Sequence, residues 1–242
     1  MSDLLLPLLQ RTLPRGALRV GAPPLIPEIH LYLFDPVVME GPLSHEEAQA
    51  VVAEPAYWSF CWASGQVLAR YILDHPELVA GKTVWDIGAG SGVVAIAAAL
   101  AGASAVLACD LDSAAQVAAA ENAALNGVQV RVCETLPSAN KPDVITAADI
   151  LYDRDNLQWL PEWRDRASKV LLADSRVRNL VAPGYELKKA ASGRTFPDLN
   201  ELEEFNEVRI YESGRHIPGE KKATNQVASF GIGFGFPSAV PW

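Results

Sequence analysis

The chain has 242 residues, 50% of them hydrophobic and 20% charged, with a net charge of −9 and a pI near 4.9. That length supports one sizeable core with room for an appendage. The acidic balance lacks the basic footprint of a nucleic-acid binder, and no apolar run reaches the ~20 residues that span a membrane, so neither nucleic acid nor membrane is expected as a partner.

Met1 to Leu9 is Leu-rich but has no basic lead and contains Asp3 and Pro7, which makes it a poor secretory signal. Arg11, Arg15 and Arg19 give a weak transit-peptide character that Asp3 and the prolines oppose. Met1 to Gly21 reads as a short helix and a loop, and Pro23, Pro24 and Pro27 predict an extended path. Ile29 to Phe34 alternates as a strand, with Ile29, Leu31 and Leu33 on one face, and Val38 to Ser44 reads as a linker. Ser44 followed by Glu47 predicts a capped helix start. Residues 1–54 are expected to form an N-terminal extension. Cys61, Cys109 and Cys133 show no metal-ligand spacing, and His30, His45, His75 and His216 are isolated, so no metal site is expected. The odd, scattered cysteine count points to a reducing, cytoplasmic setting.

Pro55 to Gly65 concentrates Tyr57, Trp58, Phe60 and Trp62 just before an amphipathic helix, Gly65 to Leu73. Aromatic clusters of this kind usually fill a core; the other reading is a lid over a ligand, for which Trp62 is the first candidate. Thr83 to Ile87 is then an apolar run carrying Asp86. Gly88, Gly90 and Gly92 follow at alternate positions, and Val93 to Ala101 is almost wholly aliphatic. This predicts strand, tight loop and helix, with glycines that let a ligand approach the backbone and unpaired N–H groups at the helix start. Gly81-Lys82-Thr83 has a P-loop ending but precedes the strand, and Pro76 stands where the first Gly should be. A dinucleotide fingerprint needs its third Gly one place later. A nucleophile elbow at Ser91 fails at Ala89. An ordinary Gly-rich turn is the bland alternative.

Ala105 to Cys109 is a second apolar run ending in Asp110-Leu111-Asp112. An acid about 20 residues past the Gly-rich turn, at a strand end, can accept from both hydroxyls of a ribose. Asp110 is in register for that role, and Asp112 suits the cap of the next helix, Ala114 to Leu125. Asn126-Gly127 predicts the helix stop. Val128 to Cys133, Asp143 to Ala147 and Lys169 to Ala173 read as strands, with a helix at Asn156 to Arg166, and Asp149-Ile150-Leu151-Tyr152 stands at the end of the second of these strands. Alternating strands and helices predict a doubly wound α/β fold with a mostly parallel sheet and ligands at the strands' C-terminal ends. Tyr185 to Ala190 and Val208 to Glu212 read as two more strands around a long excursion. The domain is expected over residues 55–212, with residues 213–242 as a poorly ordered or peripherally packed tail.

Asp86-Ile87-Gly88-Ala89-Gly90-Ser91-Gly92 resembles the first motif of the seven-strand S-adenosylmethionine-dependent methyltransferases. With Tyr57-Trp58-Ser59-Phe60-Cys61-Trp62-Ala63-Ser64-Gly65-Gln66, Asp74-His75-Pro76-Glu77, Glu121-Asn122-Ala123-Ala124-Leu125-Asn126-Gly127 and the Asp149-to-Tyr152 signature, the chain from about Pro27 to Glu212 resembles family 16 protein lysine methyltransferases. Within that group it looks like the electron-transfer-flavoprotein β-subunit lysine methyltransferases and their bacterial nicotinamide N-methyltransferase-like relatives. The resemblance implies a Rossmann-like, seven-stranded sheet ending in an antiparallel hairpin, with S-adenosylmethionine as cofactor. It implies Asp86, Gly88, Gly90 and Gly92 around the methionine end, Asp110 at the ribose, Trp62 near the cofactor, and Asp149 with Tyr152 at the methyl-acceptor mouth. The segment Ala173-Asp174-Ser175-Arg176-Val177-Arg178 departs from the family's Gly-Asp-Pro-Gly-Arg, and the Gly- and Phe-rich tail is not a family feature. The expected reaction is methyl transfer to a nitrogen, foremost the lysine of a protein substrate. The alternatives are a small-molecule N-methyltransferase of nicotinamide-like type, a nicotinamide-cofactor oxidoreductase on the same architecture, and a non-catalytic cofactor-binding module.

Overall fold

The computed structural model describes residues 2–38 and 44–214. Helix α1 spans Leu5–Thr12. Strands β1 (Leu18–Gly21) and β2 (Leu31–Phe34) form a small antiparallel pair, and helices α2 (His45–Ala53) and α3 (Ala63–Asp74) follow. The larger unit then runs β3 (Thr83–Ile87), α4 (Val93–Leu100), β4 (Ala105–Cys109), α5 (Ser113–Leu125), β5 (Arg131–Cys133), β6 (Val144–Ala148), α6 (Leu160–Arg166), β7 (Lys169–Asp174), β8 (Tyr185–Ser192) and β9 (Glu207–Gly214).

The seven strands β3 to β9 form one sheet in the order β5-β4-β3-β6-β7-β9-β8. The first five in that order are parallel, and β9 lies antiparallel between β7 and β8. This is the expected doubly wound sheet with its antiparallel C-terminal hairpin. The chain leaves β3 toward β4 on one side and later returns to β6 on the other. The order therefore reverses between β3 and β6, where an open α/β sheet opens a crevice beyond its strand ends.

Alternate residues of the central strands feed two cores, as the period of two requires. Val84, Val144 and Leu171 join the core under α3 and α4, whereas Trp85, Ile145 and Leu172 join the core under α6. Ile26, Ile29, Leu31 and Leu33 are fully buried in the first of these, so the N-terminal segment closes that face. Asn122 ties it down. Its Oδ1 accepts the Tyr32 N–H at 2.7 Å and its Nδ2 donates to the Ser91 carbonyl at 2.8 Å. One buried amide thereby joins β2, α5 and the glycine loop. Asn126 repeats the stitch at the His30 backbone.

Several local expectations are corrected. The loop expected after α1 contains β1, which exists through its pairing with β2. The prolines at 23–27 make turns, with Ile26 N–H donating to Pro23 and Ile29 N–H to Ile26. The helix expected at 156–166 begins as a 3-10 helix, Arg154–Trp159, and becomes α-helical only at Leu160, with Pro161 in its first turn. β5 is shorter than expected and β8 and β9 are longer, so Ser213 and Gly214 end a strand. The rest of the expected tail, 215–242, and most of the expected linker, 39–43, lie outside the described residues. The Ser44–Glu47 capping box is present on both of its bonds.

Candidate active site

Two turns face each other across the strand-order reversal: Gly88–Gly92 after β3 and Asp149–Tyr152 after β6. Gly88, Gly90 and Gly92 all have positive φ, at 68°, 52° and 79°, but their reasons differ. A Cβ on Gly88 would lie 2.6 Å from Ile150 Cγ2, so the two turns are in contact there. A Cβ on Gly92 would lie 2.8 Å from Ala119 Cα, where α4 packs on α5. A Cβ on Gly90 would meet nothing within 4 Å. Gly90 alone opens onto free space.

Asp110 borders that space. Its Oδ2 accepts the Gly90 N–H at 2.8 Å and its Oδ1 accepts the Asp112 N–H at 3.0 Å. Burial holds its carboxyl above the usual range, opposed by those two donors. Asp112 caps α5 through Ala114 N–H at 2.8 Å, the role the sequence suggests for it. Between them, Leu111 is 81% exposed, an apolar surface next to the carboxylate.

Asp86 sits apart. It is buried at 2% exposure, with Thr146 Oγ1 donating at 2.7 Å and the Ala95 N–H at 3.2 Å. Burial raises its carboxyl to about 7. The Ala95 bond reaches the first turn of α4, whose own cap residue, Gly92, has no side chain to offer. Asp86 thus fixes the glycine loop from beneath.

Asp149 has φ of 52°, a conformation few non-glycine residues adopt. Its Oδ2 accepts Ser64 N–H at 2.9 Å, and its Oδ1 accepts Ser64 Oγ at 2.5 Å and Ser175 Oγ at 3.2 Å. Burial lifts its carboxyl to about 6; Asp174 pushes the same way, and the serine bonds oppose. Asp174 accepts from Leu151, Arg176 and Val177 N–H groups, which shapes the turn beyond β7 where the chain departs from its family pattern.

Three aromatic rings, Tyr57, Trp62 and Tyr152, form a group around Tyr57. Tyr57 lies 5.6 Å from Trp62 and 6.2 Å from Tyr152, centroid to centroid, and Trp62 Nε1 donates to the Tyr57 carbonyl at 3.0 Å. Tyr57 and Tyr152 are exposed, while Trp58 is buried in a core with α1 and α5. The aromatic stretch therefore divides: Trp58 fills a core, while Tyr57 stays exposed against Trp62. Burial, then Tyr57 and Asp110, hold the Tyr152 hydroxyl above its usual range. Sequence reasoning missed Ser64, Ser175 and Thr146. Ser64 lies inside the Tyr57-to-Gln66 motif, but nothing there marks it as the partner of Asp149. Among the described residues no group of three His, Cys, Asp or Glu side chains could hold a metal ion, and no helix is long and apolar enough to cross a membrane.

A solved structure of similar architecture is a 16S rRNA methyltransferase of T. thermophilus in complex with AdoMet and guanosine, at TM-score 0.52 and 12% identity, covering 83% of this chain and 51% of that one. The fold is that of the class I methyltransferases. Sequence comparison extends the likeness. The family model of ribosomal protein L11 methyltransferase matches residues 68–154, from within α3 to the turn after β6. The electron transfer flavoprotein beta subunit lysine methyltransferases of Rattus norvegicus and Homo sapiens are 37% and 35% identical over 159 residues, 62% of this chain. The chain spans about three-fifths of the length of these relatives, 61% and 60%. The resemblance read from the motifs holds in fold and in sequence similarity.

Proposed function

We propose that the chain is an S-adenosylmethionine-dependent N-methyltransferase acting on protein lysine. The observation that carries this is the pairing of Gly90, beside which a Cβ would meet nothing within 4 Å, with the Asp110 carboxylate, on a glycine turn that touches Ile150 of the Asp149 turn. These residues suit the cofactor. Asp110 offers a pre-oriented carboxylate for ribose hydroxyls, Leu111 an apolar surface for a flat base, and Gly90 a close backbone approach for the methionine end. The rings of Trp62, Tyr57 and Tyr152 attract a cation such as a sulfonium. When bound, S-adenosylmethionine supplies the methyl group.

The work left to the chain is alignment, because holding the reacting atoms in line contributes several kcal/mol. The acceptor amine must be neutral, and a free lysine at pH 7.4 is only ~0.1% neutral, a penalty of roughly 4 kcal/mol. An aromatic, partly dried mouth lowers that amine's pKa. Asp149 raises it when ionised, so its part is to orient the amine through a hydrogen bond and to accept a proton. Its carboxyl, lifted to about 6, is close enough to neutrality for that exchange.

The relatives named for the electron transfer flavoprotein β subunit make that protein the first acceptor to test, and the family-model match makes ribosomal protein L11 the second. A small-molecule amine is the alternative class. The test is calorimetry with S-adenosylmethionine, its demethylated product and NAD, followed by transfer of labelled methyl to both proteins and to nicotinamide. Donor binding with label on a protein lysine supports the reading. Label only on nicotinamide moves the substrate to small molecules, and binding of NAD alone defeats methyl transfer.

A further inference from the structure

We propose that Ser64 and Ser175 are positioning residues for methyl transfer, holding the Asp149 carboxylate at the acceptor mouth and tying it to the start of α3. The inference rests on the N-methyltransferase reading above and deepens it. An ionised carboxylate has about four lone-pair sites. Three on Asp149 are taken, by Ser64 N–H, Ser64 Oγ and Ser175 Oγ. One site on Oδ2 remains for an incoming amine.

A plain helix cap does not need this arrangement. Trp62, the cap residue of α3, makes no side-chain cap bond, and Asp149 serves the Ser64 N–H from 85 residues away. One oxygen would suffice for that. Instead two buried hydroxyls, Ser64 at 0% and Ser175 at 4% exposure, converge on the second oxygen. Asp149 also keeps a left-handed backbone, a strained conformation that persists where surrounding contacts over-determine it. Such strain, held by three hydrogen bonds from two elements, fixes both the direction and the charge of the carboxylate. Among its neighbours, Asp174 on β7 pushes its proton affinity up, while the serine bonds pull it down. Cys61, whose thiol burial and Asp149 keep protonated, adds no charge. Ser64 also lies two residues past Trp62, so the same contact ties the Tyr57–Trp62 stretch to the acid.

Ser64→Ala and Ser175→Ala, each in the full chain, test this against Ser64→Thr, which keeps a hydroxyl. Single-turnover methyl transfer at saturating donor should fall at least tenfold in Ser64→Ala and less in Ser175→Ala. Donor affinity should stay within about twofold, and Ser64→Thr should recover part of the loss. NMR titration of ¹³C-carboxyl-labelled aspartate should show the Asp149 midpoint moving upward in both alanine variants, a readout independent of activity. An active wild type whose folded alanine variants keep both rate and midpoint overturns the inference alone. A wild type inactive on every lysine acceptor overturns the functional reading itself, and the inference with it.

Discussion

The backbone N–H of Gly90 donates to the carboxylate of Asp110 over 2.8 Å, joining the glycine turn after β3 to the end of β4. The acid expected at the ribose is therefore held in place by the loop expected at the methionine end. Asp110→Ala should weaken S-adenosylmethionine binding by about 1.5–3 kcal/mol, the scale of a hydrogen bond to a charged group. Calorimetry on a folded variant checks this; an unchanged dissociation constant removes Asp110 from the site.

The three glycines should separate ligand from fold. Gly90→Ala adds a methyl into open space, at a cost limited to the ~1–2 kcal/mol of a left-handed backbone, and should sharply weaken donor binding. Gly92→Ala drives the same methyl against Ala119 and should destabilise the protein more. Denaturant melts beside donor titrations distinguish the two. Equal stability losses with normal binding in Gly90→Ala would reduce the loop to a plain turn.

Asp86 predicts a pH dependence. Its carboxyl is lifted from 3.8 to about 7 by burial, so the folded state retains a proton that the unfolded chain gives up. That contribution to stability is full below about pH 4 and is lost as pH rises through about 7. Asp86→Asn, which cannot ionise, should therefore gain on the wild type by up to about 1.4 kcal/mol per pH unit across that window. Urea unfolding at several pH values measures the gap; a gap that does not change with pH contradicts the assignment.

Much of the fold was legible because its signals are local. Thr83 to Ile87 reads as a strand from five residues and is one, and Ser44 with Glu47 announces its helix. β1 was not legible, since Leu18-Arg19-Val20-Gly21 has one buried side chain and takes its structure from β2. Asp110 could be found by counting from the glycines. Ser64, Ser175 and Thr146 could not, because an isolated hydroxyl has no period. Ser64 and Thr146 meet their acids 85 and 60 residues away. The Asp174-Ser175-Arg176 stretch departs from the family pattern, yet Asp174 organises the turn and Ser175 reaches Asp149.

Asn122 is the test of the N-terminal segment. Its amide, at 0% exposure, joins Tyr32 and Ser91. Asn122→Ala leaves a buried N–H and a carbonyl without partners and should cost about 1–3 kcal/mol for each left unsatisfied. Hydrogen exchange should then rise at Tyr32 and around Ser91, and not at β7 or β9. Uniform loss of protection would mean the amide supports the whole domain instead of this junction.

The central claim is that the crevice between the Gly90–Asp110 pair and Asp149 transfers a methyl group to a protein lysine. Its most direct test is a single-turnover reaction at saturating S-adenosylmethionine with recombinant electron transfer flavoprotein β subunit, read by mass spectrometry of the acceptor, for wild type and Asp149→Ala. The predicted result is a 14 Da increment (one methyl group, or its multiples) on lysine with the wild type. The variant should retain donor affinity and run roughly 10²-fold or more slower. Equal rates in the two proteins, or donor binding with no lysine methylated on this acceptor or on ribosomal protein L11, would contradict it.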